Sequence, residues 1–139
     1  MRKKIFVILS LFIMGLIYYF SSCNADVSAL QSNIIVEFIN NYVPVNSFIV
    51  RKLAHFSLYF ILSIAIYLAG YCIKFTHPEV FTFLVVTLYA ISDEIHQEFI
   101  PGRSCEIRDI IIDVCGCICA LIIIKIGRYL YVQRTTNNE

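Results

Sequence analysis

The sequence predicts an all-α, polytopic membrane protein, with four transmembrane helices and a short helix lying in the outer interface. Three observations carry this prediction. Of 139 residues, 59% are hydrophobic and only 15% are charged, with a mean hydropathy of +0.76, whereas soluble domains are about 45–50% apolar and about 25% charged. A chain this short buries only ~65–70% of its surface in water, so lipid is the expected solvent. Four apolar stretches approach the ~20 residues that a helix needs to cross a bilayer. Between the first two, apolar residues recur at helical rather than strand spacing. The formal net charge of +1 supplies no basic field for nucleic acid, and the composition excludes disorder.

The first span runs from Ile5 to Phe20 and can extend to Cys23. Lys3 and Lys4 before it fit a secretory signal, and Phe20-Ser21-Ser22-Cys23 faintly resembles a lipoprotein cleavage box, but Phe20 stands where Leu is usual. An uncleaved anchor is expected. The second span runs from Leu53 to Ile73, interrupted only by His55. The third, Val80 to Ser92, is short unless the helix continues through Asp93, Glu94 and Gln97 into the interface. The fourth, Ile110 to Ile126, carries Asp113 near its start and Lys125 near its end. In lipid each span must satisfy its own backbone hydrogen bonds, which favours helices; the runs lack the alternation of a barrel.

Between spans one and two, Val27, Leu30, Ile34, Ile35, Phe38, Ile39 and Tyr42 repeat at helical spacing. Ser28, Gln31, Ser32, Asn40 and Asn41 fall largely on the other side. This predicts an interfacial helix closed by Pro44, or a helix packed on the bundle. Residues 1–132 read as one domain and 133–139 as a polar tail. With both termini in the cytoplasm, seven basic residues fall inside (Arg2, Lys3, Lys4, Lys74, Lys125, Arg128, Arg134) and four outside (Arg51, Lys52, Arg103, Arg108). The positive-inside rule selects that orientation.

Polar groups beside apolar spans are costly unless paired or wetted, and three clusters converge on the outer side. Lys52, His55 and Tyr59, preceded by Arg51, share a helical face. Asp93 and Gln97 lie four apart at the end of span three, with Glu94 beside Asp93. Pro101-Gly102 reads as a type II turn that presents Arg103, after which Asp109, Asp113, Gly116 and Ala120 descend one face of span four. Asp113 needs a partner, from Arg103, Lys52 or His55. Snorkelling accounts for Arg51 and Lys52, and a solvated helix end fits Glu98 well but Asp93 poorly; for His55 a hydrogen-bonded packing role stands beside a catalytic one. Cys115, Cys117 and Cys119 step ~200° around a helix and cannot converge on a metal, so no metal or cofactor is expected. Cys23 and Cys105 fall on the same side and could pair.

Arg51-Lys52-x-x-His55-Phe56-x-x-Tyr59, then Asp93-Glu94-x-x-Gln97-x-Phe99-x-Pro101-Gly102-Arg103-Ser104, then Asp109-x-x-x-Asp113-x-x-Gly116 closely resemble the VanZ-like family. The resemblance covers roughly Ser21 to Ile126. Asp113 stands where the family usually has Asn, and Ala120 where a second Gly is common. The resemblance implies a small multi-helix protein of the bacterial cell membrane, in a family whose founding member is linked to teicoplanin resistance in glycopeptide-resistant bacteria. It implies no mechanism.

Several functions fit these residues. In a binding protein, Arg51, Lys52, His55 and Arg103 grip the phosphate or carboxylate of an anionic lipid or lipid-linked cell-wall precursor, with Tyr59, Asp93, Glu94, Gln97, Asp109 and Asp113 completing the ligand-binding set. In a membrane-surface enzyme, His55 is acid or base, and Asp93 or Glu94 activates water or holds a divalent ion; no known nucleophile or metal motif supports this. A transporter would need a second polar set halfway down the spans, and below His55 span two offers only Ser63 and Tyr67. A purely structural cluster would add little net stability.

Overall fold

A computed structural model describes residues 2–40, 44 and 46–137, without the side chain of Arg2. It contains five helices: α1 (Arg2–Ser21), α2 (Ala25–Asn40), α3 (Ser47–Ile73), α4 (Pro78–Glu98) and α5 (Ile107–Thr136). No strand occurs among the described residues. Of the sequence expectations, Asn41, Tyr42 and the tail residues Asn138 and Glu139 lie outside the described residues.

Local chemistry sets the boundaries. Asn24 caps α2, its Oδ1 accepting from the Val27 N–H at 2.9 Å, and Asn46 caps α3 in the same way through Ile49. Each satisfies an N–H left over in the first helical turn. The Asn46 cap starts α3 six residues before the expected Leu53. Lys74 ends α3 in the left-handed region, at φ 68°, while the Phe75 N–H bonds the Gly70 carbonyl at 3.0 Å, a Schellman-type closure. Pro78 opens α4, where its missing N–H costs nothing. Helix α4 runs without a break through Asp93, Glu94 and Gln97. Helix α5 continues into the expected polar tail as far as Thr136.

Three helices, α1, α3 and α5, are long and apolar enough to cross a membrane. Helix α4 is not among them, because its apolar stretch stops at Ser92. Helix α3 is central and packs against all four others, most extensively against α5. Tyr59, Leu62, Val86, Ala90, Cys117 and Ala120 are fully buried between the helices. The polar residues Thr82, Glu94 and Asp113 are equally buried, while Ile8, Leu11, Phe12, Leu88, Ile122 and Ile123 face outward. An apolar exterior around a partly polar interior is the reverse of a water-soluble domain and suits a lipid surround.

Helices α3 and α5 approach closely at Gly116, where a Cβ would stand 2.5 Å from the Phe56 carbonyl oxygen and 3.2 Å from the Phe60 nitrogen. That approach brings the α3 face of Lys52, His55 and Tyr59 onto the α5 face of Asp109 and Asp113. Helix α2 turns its small polar residues Ser28 and Ser32 inward and leaves Leu30, Ile34 and Phe38 63%, 71% and 72% exposed. It therefore packs on α3 with its apolar face outward, the second of the two arrangements expected for it. Cys117 is buried, Cys115 and Cys119 are exposed, and Cys23 and Cys105 are free thiols.

Candidate functional site

The site lies where the C-terminal ends of α1 and α4 meet the N-terminal ends of α3 and α5. Lys52 forms an ion pair with Asp109 and stands 3.7 Å from Glu106 Oε2. Arg108 donates to the same Glu106 oxygen at 2.9 Å. That hydrogen bond, and then the charge of Lys52, hold the Glu106 carboxyl below the usual carboxylate range. One turn deeper, His55 Nδ1 is 3.5 Å from Asp113 Oδ1, ion-pair range but long for a hydrogen bond. Of the three partners expected for Asp113, His55 is the one the fold supplies. Tyr59, another turn down, is fully buried, and its hydroxyl lacks a hydrogen-bond partner among the described residues.

Asp93 and Glu94 of α4 face inward to other elements. Asp93 Oδ2 accepts from Ser21 Oγ at 2.8 Å and from Gln97 Nε2 at 3.1 Å. Gln97 Nε2 also donates to Ser21 Oγ at 3.2 Å, so the three side chains close a ring between α1 and α4. Glu94 Oε2 accepts the Glu106 N–H at 2.9 Å, and Glu98 Oε2 accepts the Cys105 N–H at 2.7 Å. Both bonds hold the approach to α5, where free N–H groups and the helix dipole favour negative charge. Adjacent carboxylates on α4 are thus separated by aiming them at different donors.

The segment between α4 and α5 forms the mouth. The Arg103 N–H bonds the Ile100 carbonyl at 3.0 Å across Pro101 and Gly102, and Gly102 has φ +75°; this is the type II turn read from the sequence. A Cβ on Gly102 would stand 2.9 Å from the Ala25 Cβ. Gly102→Ala is expected to cost about 1–2 kcal/mol from the left-handed backbone alone. Thermal unfolding followed by labelling of Cys117, with the other cysteines replaced, measures that loss. The turn places Arg103 Nη1 3.2 Å from the Phe20 carbonyl and 3.3 Å from the Ser21 carbonyl, where it caps the end of α1. Burial, and then the neighbouring Arg51 guanidinium, lower the Arg103 pKa from its ordinary value.

A cavity of about 220 Å³ opens at this mouth. It is lined by Arg51, Lys52, His55, Gln97, Arg103 and Asp109, with Phe48, Gly102, Ser104 and Glu106. Six of the ten ligand-binding residues expected from sequence therefore share one cavity. Tyr59 lines a second cavity beside it. Asp93, Glu94 and Asp113 line neither and stand buried behind the wall. Asp113 and the Glu94 Oε1 atom have no hydrogen-bond partner among the described residues. Arg51 makes no ion pair or hydrogen bond among the described residues, and Arg103 meets only carbonyls. No group of three or more His, Cys, Asp or Glu among the described residues is placed to hold a metal ion.

One comparison covers the stretch of chain that holds these three blocks. The VanZ/LLP1 family model matches residues 6–128. The chain belongs to the VanZ/LLP1 family. No curated protein and no solved structure matches it. In this VanZ/LLP1 chain, Ser21, Phe48 and Glu106 also build the site without having been placed there by the sequence reading, which held Glu98 to be a solvated helix end and gave Ser104 no role beyond its motif block. Ser21 carried only the cleavage-box resemblance as a signal. Glu106 could have been found from its i, i+3 relation to Asp109 on one helix face. A larger cavity, about 550 Å³, lies between α3 and α5 around Tyr67, Leu121, Lys125 and Arg128, away from the cluster.

Proposed function

We propose that this VanZ/LLP1 protein binds the anionic head group of a membrane lipid or lipid-linked cell-wall precursor in the 220 Å³ cavity. The observation that carries this reading is the pair Arg51 and Arg103. Two guanidiniums line one cavity, the Arg51 charge adds to the burial that lowers the Arg103 pKa, and neither has a carboxylate partner among the described residues. An oxyanion relieves that repulsion and takes bidentate hydrogen bonds from arginine. Lys52 is neutralised by Asp109 and serves as a wall. Around this site we read residues 1–132 as one domain of the bacterial cell membrane, with α4 crossing as a fourth span and α2 in the outer interface. Both termini face the cytoplasm, which puts the cavity on the outer side where precursor head groups stand. Through that ligand the protein would alter teicoplanin susceptibility.

Titration of the purified protein with butyl phosphate tests the reading. Arg51→Ala is expected to weaken binding about tenfold or more, the size of a lost charged hydrogen bond, with unfolding unchanged because Arg51 makes no internal bond. Equal affinity in the wild type and Arg51→Ala overturns it.

His55 supports a second reading, a membrane-surface enzyme. It lines the cavity and has the buried Asp113 carboxylate 3.5 Å behind it, an orientation suited to an acid or base. Asp93 and Glu94, the partners considered from sequence, are engaged by Ser21, Gln97 and the Glu106 backbone. Release of phosphate from a lipid phosphate by the wild type, abolished in His55→Gln while binding persists, would favour this reading.

A further inference from the structure

We infer that the head-group cavity continues into a hydrocarbon chamber beneath α2, so that its ligand is a long-chain amphiphile with an oxyanion head rather than a soluble anion. The inference rests on the head-group reading and narrows it to one ligand class. The second cavity, about 160 Å³, shares Arg51, His55 and Arg103 with the first. Those three residues form a common wall, and beyond it the character of the lining changes. Helix α1 contributes Ile17 and Phe20 and α3 contributes Val50, Ala54 and Leu58, while α2 adds Ile35 beside the polar Ser28, Gln31 and Ser32. A free phosphate gains nothing from these walls, whereas each methylene moved onto apolar surface favours binding.

The roof fits the same ligand. Helix α2 meets α3 through Ser28 and Ser32, which are buried, and Ser32 Oγ donates back to the Ser28 carbonyl at 2.9 Å within its own helix. Small residues at the contact let the helices approach closely and leave the volume beneath α2 to a ligand chain. Leu30, Ile34 and Phe38 on the far side are exposed, so α2 turns its apolar face away from the chamber and its small polar residues toward it. Tyr59, whose hydroxyl is buried and unpartnered among the described residues, also lines the chamber.

The test uses the full chain in phosphatidylcholine nanodiscs. Butyl phosphate reads the head-group cavity alone; dodecyl phosphate carrying a chain-terminal diazirine reports where the chain lies. Cross-links are expected on Ile35 and Leu58. Filling the chamber with Leu58→Trp is expected to cut that labelling at least tenfold and to leave butyl phosphate affinity unchanged. Val50→Phe fills the same space should Leu58→Trp fail to fold. Labelling confined to Leu30, Ile34 and Phe38, or insensitive to both fillings, while butyl phosphate binds normally, overturns the chamber and leaves the head-group reading standing. Failure of butyl phosphate to bind the wild type overturns the head-group reading, and the chamber with it.

Discussion

Lys52→Met is expected to destabilise the protein by about 3–5 kcal/mol, the usual consequence of removing one member of a buried ion pair. Lys52 and Asp109 have side chains only 16% and 10% exposed, so water from the cavity replaces the lost partner only in part. Asp109 would be left near the Glu94 and Asp113 carboxylates with no cation within ion-pair distance among the described residues. Glu106 would keep Arg108 at 2.9 Å and contribute little to the loss. The double variant Lys52→Met with Asp109→Asn removes both charges and is expected to recover most of the stability, since neutral replacements of a buried pair are often nearly neutral in effect. A double-mutant cycle on thermal unfolding, read by labelling of Cys117, checks this. Losses that simply add would show that the two side chains are not coupled.

Gly116→Ala is expected to cost about 1–3 kcal/mol, in the range of core overpacking, and Gly116→Val more. The added Cβ meets the Phe56 carbonyl oxygen at 2.5 Å and the Phe60 nitrogen at 3.2 Å, and both are backbone atoms of a central helix. Neither can rotate aside as a side-chain terminus would, so α3 and α5 must separate. Separation should also lengthen the distance from His55 to Asp113 and from Lys52 to Asp109, because Gly116 lies on the same α5 face. Gly116→Ala is therefore expected to weaken butyl phosphate binding as well as stability. Gly127→Ala is the control: it lies on the same helix, and a Cβ there meets nothing within 4 Å. Equal behaviour of the two variants would refute the close-contact account.

Much of this arrangement follows from local rules. Helical spacing alone places Lys52, His55 and Tyr59 on one stripe, and Asp109, Asp113, Gly116 and Ala120 on another. The Pro101-Gly102 turn is equally legible, since a type II turn requires positive φ at its third residue. Boundaries were less legible. The α3 start depends on the Asn46 cap, and α5 runs on to Thr136 because nothing before that point breaks it. The third span was read from the Val80–Ser92 run, and α4 is not among the helices long and apolar enough to cross because acidic residues follow that run directly.

Other features have no local signature. Arg103 is held by the carbonyls of Phe20 and Ser21, acceptors that every residue carries. Asp93 finds Ser21 across 72 positions of chain, and Glu94 finds a backbone N–H rather than a side chain. That α2 turns serines inward depends on what α3 offers it. By itself the sequence determined the medium, the helical character, and which residues share a helix face, because hydropathy and a 3.6-residue period are properties of each segment alone. Only the tertiary structure decided which face meets which and how closely. It left Arg51 and Arg103 on a shared cavity and sealed Asp93, Glu94 and Asp113 behind it, because crossing distances are set by packing between segments far apart in the chain.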